Sequence, residues 1–234
     1  EIMPSLVGSE MCIRDSADIF AEGKYCIFTK GNRYIYGVGN FFINLVDDNN
    51  KAVLPLVMLD SNMYGDGGWF YSGFDCIHKD QTEWCMNKLT SLKNEDENIK
   101  AMAFFHMPVR EFKEAYERMK LGDNDVIYKH GSVGEKNDHF GISRFKGIFF
   151  NSAVDNGVIK WMFCGHDHLN TLSLVYKGIQ LTYGMSIDYL GYKGIEKQYT
   201  QRGGTLITRK KDGSVSVKMV PLTSVVSTKV SGVK

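Results

Sequence analysis

The run at residues 158–164, VIKWMFC, constrains the fold most strongly, because it is almost entirely apolar and follows Asn156-Gly157. A continuous apolar run of this length is typical of a strand that is buried on both faces, as in the parallel sheets of α/β proteins. A glycine directly after a helical segment commonly ends the helix. The run therefore predicts a central strand that follows a helix and that delivers Gly165-His166-Asp167-His168 to one edge of a sheet.

Short β-rich runs alternate with helix-like stretches along the rest of the chain, which favours an α/β fold or a sandwich of α and β layers. Further strands are predicted at residues 41–46, 53–59, 102–105, 172–176, 179–183, 205–208 and 215–220. Helices are predicted at residues 80–92 and 110–119 and directly before Asn156. The last four strands are predicted to form an antiparallel set that closes the second layer of a sandwich. Residues 122–141 are polar, glycine-rich and too long for a simple connection, which is typical of a functional loop.

The composition is that of a soluble globular protein, with 43% hydrophobic and 24% charged residues. The chain has 28 basic and 27 acidic residues, so it lacks the excess of positive charge that is typical of proteins that bind nucleic acid or an anionic membrane. No uninterrupted apolar stretch of about 18 residues occurs, so no transmembrane helix is predicted. The five cysteines are scattered, which indicates neither a disulfide framework nor a zinc ribbon. Protein partners and localisation stay open.

The first residues differ from the rest of the sequence. Residues 1–16, EIMPSLVGSEMCIRDS, show neither helical nor strand periodicity and lack the pattern of a signal peptide. They resemble a sequencing adapter translated into protein. We therefore expect a non-native tail at residues 1–16, a portion of one folded domain at residues 17–224 and a C-terminal tail at residues 225–234.

Three histidines are candidates for chemistry. His166 and His168 lie two residues apart after an apolar strand, and residues two apart share a face of an extended chain. Gly165 allows close approach of the backbone there. A second apolar run ends in His106. Pro108 follows two residues later and prevents further strand pairing, because proline has no backbone N–H to donate. Three imidazoles at two strand ends predict a metal cluster for Zn, Fe or Mn. The alternative is three hydrogen-bonded structural histidines.

The order F-x-H-x-P at residues 104–108, then an apolar strand and G-H-D-H-x-N at residues 165–170, resembles the calcineurin-like metallophosphoesterase superfamily. Residues 37–40 (GVGN), 57–61 (VMLDS), 134–137 (GEKN) and 183–184 (YG) make the chain similar to the branch related to purple acid phosphatases. The match extends from about residue 36 to residue 206.

This resemblance implies a four-layer α-β-β-α sandwich that carries two metal ions of the Fe, Mn or Zn class on its rim, in divalent or mixed-valence states. By that resemblance His106 and His166 bind one metal and His168 binds the other. It also implies that Asn170 and Tyr183 lie near the phosphate of a phosphate ester substrate, although both can equally support loops. A hydroxide that bridges the metals would hydrolyse a phosphoric monoester without a covalent protein nucleophile.

Three motifs of the family are missing. Asp-x-His and Gly-Asn-His do not occur, and Gly65-Asp66 and Gly122-Asp123 are predicted to be turns because they lie in polar sequence outside the family's order. Three neutral imidazoles without carboxylates leave the charge of two dications uncompensated. The sequence therefore predicts an inactive fragment of a metal-dependent phosphoesterase that lacks the N-terminal part of the domain.

Two other interpretations compete with this one. A metal-poor relative could use the same fold as a non-catalytic scaffold for protein interaction. A mononuclear hydrolase with three histidines is a third interpretation, which the spacing does not support. The remaining histidines, His78, His130 and His139, lie in polar sequence and are predicted to be solvated surface residues.

Overall fold

The computed structural model describes residues 10–66, 72–188 and 202–225. The helices in these ranges are α1 (Glu10–Ala21), α2 (Lys79–Glu95), α3 (Glu111–Lys120) and α4 (Phe149–Asn156). The strands are β1 (Phe41–Val46), β2 (Ala52–Met58), β3 (Tyr64–Asp66), β4 (Ser72–Phe74), β5 (Ala101–Phe104), β6 (Val126–His130), β7 (Ile159–Cys164), β8 (Ser173–Tyr176), β9 (Ile179–Tyr183), β10 (Gly203–Arg209) and β11 (Val215–Pro221). A short 3-10 helix, Leu222–Ser224, follows β11.

A mixed sheet of seven strands forms the centre, in the order β1-β2-β5-β7-β9-β8-β6. Strands β2, β5, β7 and β9 pair in parallel, and β1, β8 and β6 add antiparallel pairs at the two sides. The continuous apolar run of β7 thus lies in the middle of the sheet, as its sequence predicts. Because the four central strands are parallel, the chain leaves each of them at the same edge of the sheet.

One face of the central sheet is covered by helices. Alternation along β5 directs Ala101 and Ala103 to this face, where they join the main hydrophobic core. The helices contribute buried side chains to the same core, among them Cys85 and Leu89 of α2, Phe112 and Ala115 of α3, and Phe149, Phe150 and Ala153 of α4. Gly157 ends α4 in a left-handed conformation with φ 79°, which confirms the predicted helix end.

The opposite face of the sheet packs against the β10–β11 hairpin. Met102 and Phe163 point to this side, where Ile207, Val215 and Val217 of the hairpin contact a smaller core. Helices, a large sheet and a small sheet therefore form three stacked layers in the described residues, compatible with a metallophosphoesterase-like sandwich. The predicted antiparallel set of the last four strands is wrong in part, because β9 pairs in parallel with β7 and draws β8 into the large sheet.

Other predictions also differ from the structure. The predicted loop at residues 122–141 contains β6, an edge strand whose three middle residues are exposed and therefore give no apolar signal. Gly65-Asp66, predicted to be a turn, lies in β3. Helix α1 crosses the predicted boundary between residues 16 and 17, so residues 10–16 are not irregular. Residues 1–9 and 226–234 of the predicted tails lie outside the described residues. The division into tails and domain stays a prediction.

The described part of the chain contains no helix that is both long and apolar enough to cross a membrane.

A buried amide pair joins the segment before β1 to the end of β2 and the start of α2. The Asn40 Oδ1 accepts hydrogen bonds from Gln81 Nε2 at 2.7 Å and from the Asp60 amide at 3.1 Å. The Asn40 Nδ2 donates to the Tyr36 carbonyl at 2.9 Å. Gln81 Nε2 also donates to the Asp60 carbonyl, at 2.6 Å. Both amide side chains are buried, so these bonds satisfy polar groups that water cannot reach.

We expect Asn40→Ala to lower the free energy of unfolding by roughly 2 to 4 kcal/mol, because buried donors on Gln81 and Asp60 lose their acceptor. Asn49→Ala is the matched control, since Asn49 is exposed in the turn between β1 and β2, and it should change stability by less than about 0.5 kcal/mol. Urea denaturation of both variants measures the difference. Equal effects of the two substitutions would contradict the proposed role of Asn40.

Candidate functional site

Two of the predicted histidines meet at the carboxyl edge of the sheet. His106 lies two residues after the end of β5, and His166 lies two residues after the end of β7, the neighbouring parallel strand. Their ring centroids are 5.3 Å apart, with the ring planes at 81°. The Gly165 amide donates to the His106 carbonyl at 3.0 Å, and a Cβ on Gly165 would lie 3.4 Å from His106 Nδ1. The structure therefore brings these two imidazoles together.

The backbone at His106 is held by Ser61, which follows β2. The buried Ser61 Oγ accepts hydrogen bonds from the His106 amide at 3.1 Å and from the Met107 amide at 2.8 Å. Ser61 itself lies three residues after the end of β2, the strand next to β5 in the sheet. The Ser61 hydroxyl therefore holds the backbone directly after β5 and with it the position of the His106 imidazole.

His166 lies in a tight environment. Its φ of 71° is left-handed, a conformation that few residues other than glycine adopt. The Phe74 ring meets the imidazole edge-on, with centroids 4.5 Å apart. On the other side, a Cβ on Gly141 would lie 2.2 Å from His166 Cδ2, so only glycine fits there. Phe74 and Gly141 together restrict the orientation of this half-buried ring.

His168 has a carboxylate partner. Its Nδ1 lies 2.8 Å from Asp188 Oδ2, a contact that fixes the orientation of an imidazole ring. His168 lies four residues after the end of β7, and a charge on it lowers the pKa of both His106 and His166.

The protonation of His106 and His166 follows from this environment. Burial is the main cause that lowers the pKa of both groups, and the charge on His168 acts in the same direction. The carboxylate of Asp167 partly opposes this effect. The neutral form of the imidazole, which is the form that binds metal ions, is thereby favoured.

Asp167, between the two histidines of the pair, points inward. Both of its carboxylate oxygens accept from the Gly141 amide, at 3.0 Å each, and Oδ2 also accepts from the Tyr183 hydroxyl at 2.7 Å. Burial, with Cys164 and Asp167 nearby, raises the pKa of Tyr183 well above its usual value, so the phenol stays a donor. Asp167 therefore anchors the histidine loop to the core.

Asn170 ties the same loop to the polar segment that follows β6. Its Oδ1 accepts from the amides of Gly134 and Glu135, at 3.0 and 3.2 Å, and its Nδ2 donates to the His139 carbonyl at 3.1 Å. Glu135 Oε1 in turn accepts from the Leu169 amide at 3.0 Å. The segment predicted to be a functional loop thus packs against the histidine loop and holds it.

The two predicted substrate contacts, Asn170 and Tyr183, are both fully buried. The structure gives each of them a supporting role through the hydrogen bonds described above. Binding of substrate by these side chains stays a prediction.

The donors at this edge do not complete a binuclear metal centre. Within the described residues, no group of three or more His, Cys, Asp or Glu side chains is arranged to hold a metal ion. Nearby carboxylates have other contacts: Asp167 binds Gly141 and Tyr183, and Asp60 accepts from the amides of Val38 and Asn62. Asp188 contacts His168, but no carboxylate in the described ranges completes a group of three donors that could hold a metal ion and balance its charge.

The structure also contains a pair that the sequence analysis missed. His78 Nε2 lies 3.0 and 2.9 Å from the two oxygens of the buried Asp75, and the Tyr36 ring stacks on the imidazole at 3.9 Å. His78 is therefore not the solvated residue that was predicted. His130 is also half-buried, whereas His139 is exposed as predicted. The spacing Asp-x-x-His directly before a helix was the one signal for the Asp75–His78 pair.

Comparisons with known proteins support the predicted resemblance. No family model matches the sequence. Three curated proteins of Arabidopsis thaliana do match it. "Probable inactive purple acid phosphatase 29" is 29% identical over 172 residues, which cover 68% of this chain and 41% of the relative. "Probable inactive purple acid phosphatase 28" is 24% identical over 181 residues, 70% of this chain and 40% of the relative.

The third relative, "Probable inactive purple acid phosphatase 14", is 23% identical over 150 residues, 61% of this chain and 35% of the relative. The chain thus spans about two fifths of the length of the first two relatives. The resemblance predicted from the histidine motifs is confirmed: over about two thirds of its length the chain is homologous to members of the purple acid phosphatase family, within the calcineurin-like superfamily.

Proposed function

We propose that this chain supplies three imidazole ligands to the metal centre of a phosphoesterase and that it does not hydrolyse phosphate esters by itself. The observation that carries the proposal is the convergence of His106 and His166, 5.3 Å apart, at the ends of adjacent parallel strands. By this proposal these two residues hold one metal ion of the Fe, Mn or Zn class, and His168 contributes to a second.

The missing donors explain the proposed lack of activity. Two such metal ions, held in part by His106, His166 and His168, would supply Lewis-acid activation of water and positive charge for the phosphate oxygens of a phosphoric monoester. Neutral imidazoles alone leave the metal charge uncompensated, and Asp167 is turned toward Gly141 and Tyr183. We propose that the carboxylate ligands come from outside the described residues. The names of the matched relatives, each "probable inactive", support the absence of hydrolysis.

A non-catalytic scaffold for protein interaction is the second candidate. The shortage of metal donors in the described residues favours it, as do the names of the relatives. The two candidates differ in one respect that can be measured: a scaffold needs no metal ion, whereas the proposed phosphoesterase portion binds one through its histidines.

We expect hydrolysis of p-nitrophenyl phosphate by this chain to stay at the background rate, with or without added Zn²⁺, Mn²⁺ or Fe²⁺, because the donor set is incomplete. Release of p-nitrophenol measures the rate, and a His166→Ala variant serves as the matched blank. Metal-dependent turnover by this chain that His166→Ala abolishes would contradict the proposed inactivity.

We expect Gly141→Ala to weaken Zn²⁺ binding by roughly 10- to 100-fold, the usual effect of disturbing the residues that orient a metal ligand. The added Cβ would meet the His166 ring at 2.2 to 2.5 Å and displace the imidazole. Isothermal titration with Zn²⁺ measures the affinity, and circular dichroism shows whether the fold is retained.

The control for this experiment is Gly204→Ala, because a Cβ on Gly204 meets nothing within 4 Å. This control should bind Zn²⁺ as the unmodified chain does. If a folded Gly141→Ala variant keeps the full affinity, His166 is not a ligand of the bound metal and the proposed ligand set is wrong.

A further inference from the structure

A cleft of about 250 Å³ opens directly beside His166. Phe74 and Gly141 line this cleft, and both also lie against the His166 ring. The volume is slightly below the roughly 300 to 1,000 Å³ of pockets that hold drug-sized ligands. The cleft therefore fits a group of about one ring, and Phe74 and Gly141 separate it from the His166 ring.

One wall of the cleft is aromatic. The rings of Tyr64 and Phe74 lie nearly parallel, with an interplanar angle of 22° and centroids 5.8 Å apart. The antiparallel register of β3 with β4 pairs these two residues directly. Tyr64 is 67% exposed although it lies beside other apolar lining residues such as Ile142. A planar apolar group would find an uncovered aromatic surface there.

A cation lies at the same cleft. Arg144 is exposed, and its guanidinium forms no ion pair or hydrogen bond with any residue in the ranges that the structure describes. None of the described residues that line the cleft is acidic. An arginine without a carboxylate partner is suited to bind an anion, above all the oxygens of a phosphate group.

The loop that carries Arg144 is anchored to the aromatic wall. The buried Ser143 Oγ donates to the Phe74 carbonyl at 2.8 Å and accepts from the Phe145 amide at 2.9 Å. The Arg144 side chain also crosses Gly73, where a Cβ would meet its Cδ at 3.2 Å. The aromatic wall and the cation thus keep a fixed spacing.

We propose that this cleft binds an aromatic phosphate monoester, with its ring against Tyr64 and Phe74 and a phosphate oxygen on Arg144. The cleft thereby selects aryl esters over alkyl esters for the histidine site that it adjoins. Selection of a substrate rests on the proposed phosphoesterase function, but binding of the ester does not require the metal.

The test measures binding without metal ions. Phenyl phosphate, glycerol 1-phosphate and inorganic phosphate are each titrated into the chain in the presence of EDTA, and amide shifts are followed by NMR. We expect phenyl phosphate to bind at least about fivefold tighter than glycerol 1-phosphate, since one aromatic contact contributes about 0.5 to 1.5 kcal/mol beyond area burial. The largest shifts should fall on the amides of Gly73 and Gly141.

Three variants distinguish the contribution of the Tyr64 ring to binding from that of the charge on Arg144. Arg144→Ala should weaken phenyl phosphate binding by about tenfold, the loss that corresponds to about 1.4 kcal/mol. Tyr64→Ala should remove the preference for the aryl ester and leave inorganic phosphate binding unchanged. Lys146→Ala, the matched control, should change affinity less than about twofold, because this exposed cation lines a different cleft.

Equal affinities for the aryl and alkyl esters, or an Arg144→Ala variant that binds as tightly as the Lys146→Ala control, would overturn the proposal. The outcome is independent of the metal centre. If phenyl phosphate binds as expected but the histidines bind no Zn²⁺, the cleft is confirmed and the proposed function fails. If Zn²⁺ binds to the histidines but phenyl phosphate does not bind, the proposed ligand set is supported and the proposal for the cleft fails.

Discussion

The parallel pairing of β5 with β7 is the constraint on which the candidate site depends. Register pairs Phe104 with Phe163, so the two chains leave the sheet side by side, and His106 and His166 follow two and three residues after this pair. Antiparallel pairing would have placed them at opposite edges. Because both strands are covered on two faces, by helices on one side and by the β10–β11 hairpin on the other, the burial that stabilises the sheet also fixes the positions of the imidazoles.

Hydrogen bonds to buried polar groups hold the loops that follow these strands in fixed positions. Ser61 holds the chain after β5, and Asp167 holds the chain after β7 through Gly141 and Tyr183. A buried carboxylate is costly unless donors surround it, and removing one donor leaves a charge without compensation. The same bonds that hold the histidine loop therefore occupy the carboxylate of Asp167, so the proposed metal centre needs other carboxylates.

The sequence predicted the parts of the molecule that have a periodic signal. Strand β7 is apolar on both faces, and the convergence of His106 with His166 followed from the parallel sheet that such strands form. Strand β6 gave no signal, because its middle residues are exposed at an edge. The anchoring role of Asp167 was also missed, since it bonds a residue 26 positions away and no local pattern records such a contact. The contact between Asp75 and His78 was missed as well, although these residues are three positions apart and the spacing Asp-x-x-His before a helix was a local signal.

The central claim is that His106, His166 and His168 act together as metal ligands although no group of three donors in the described residues is arranged to hold a metal ion. Long-range ¹H–¹⁵N NMR spectra of the histidine side chains during a Zn²⁺ titration test this claim most directly. We predict that the ring nitrogens of these three residues shift together at low Zn²⁺, whereas those of His78 and His130 stay unchanged. No response of the three, or an equal response of His78 and His130, would contradict the account.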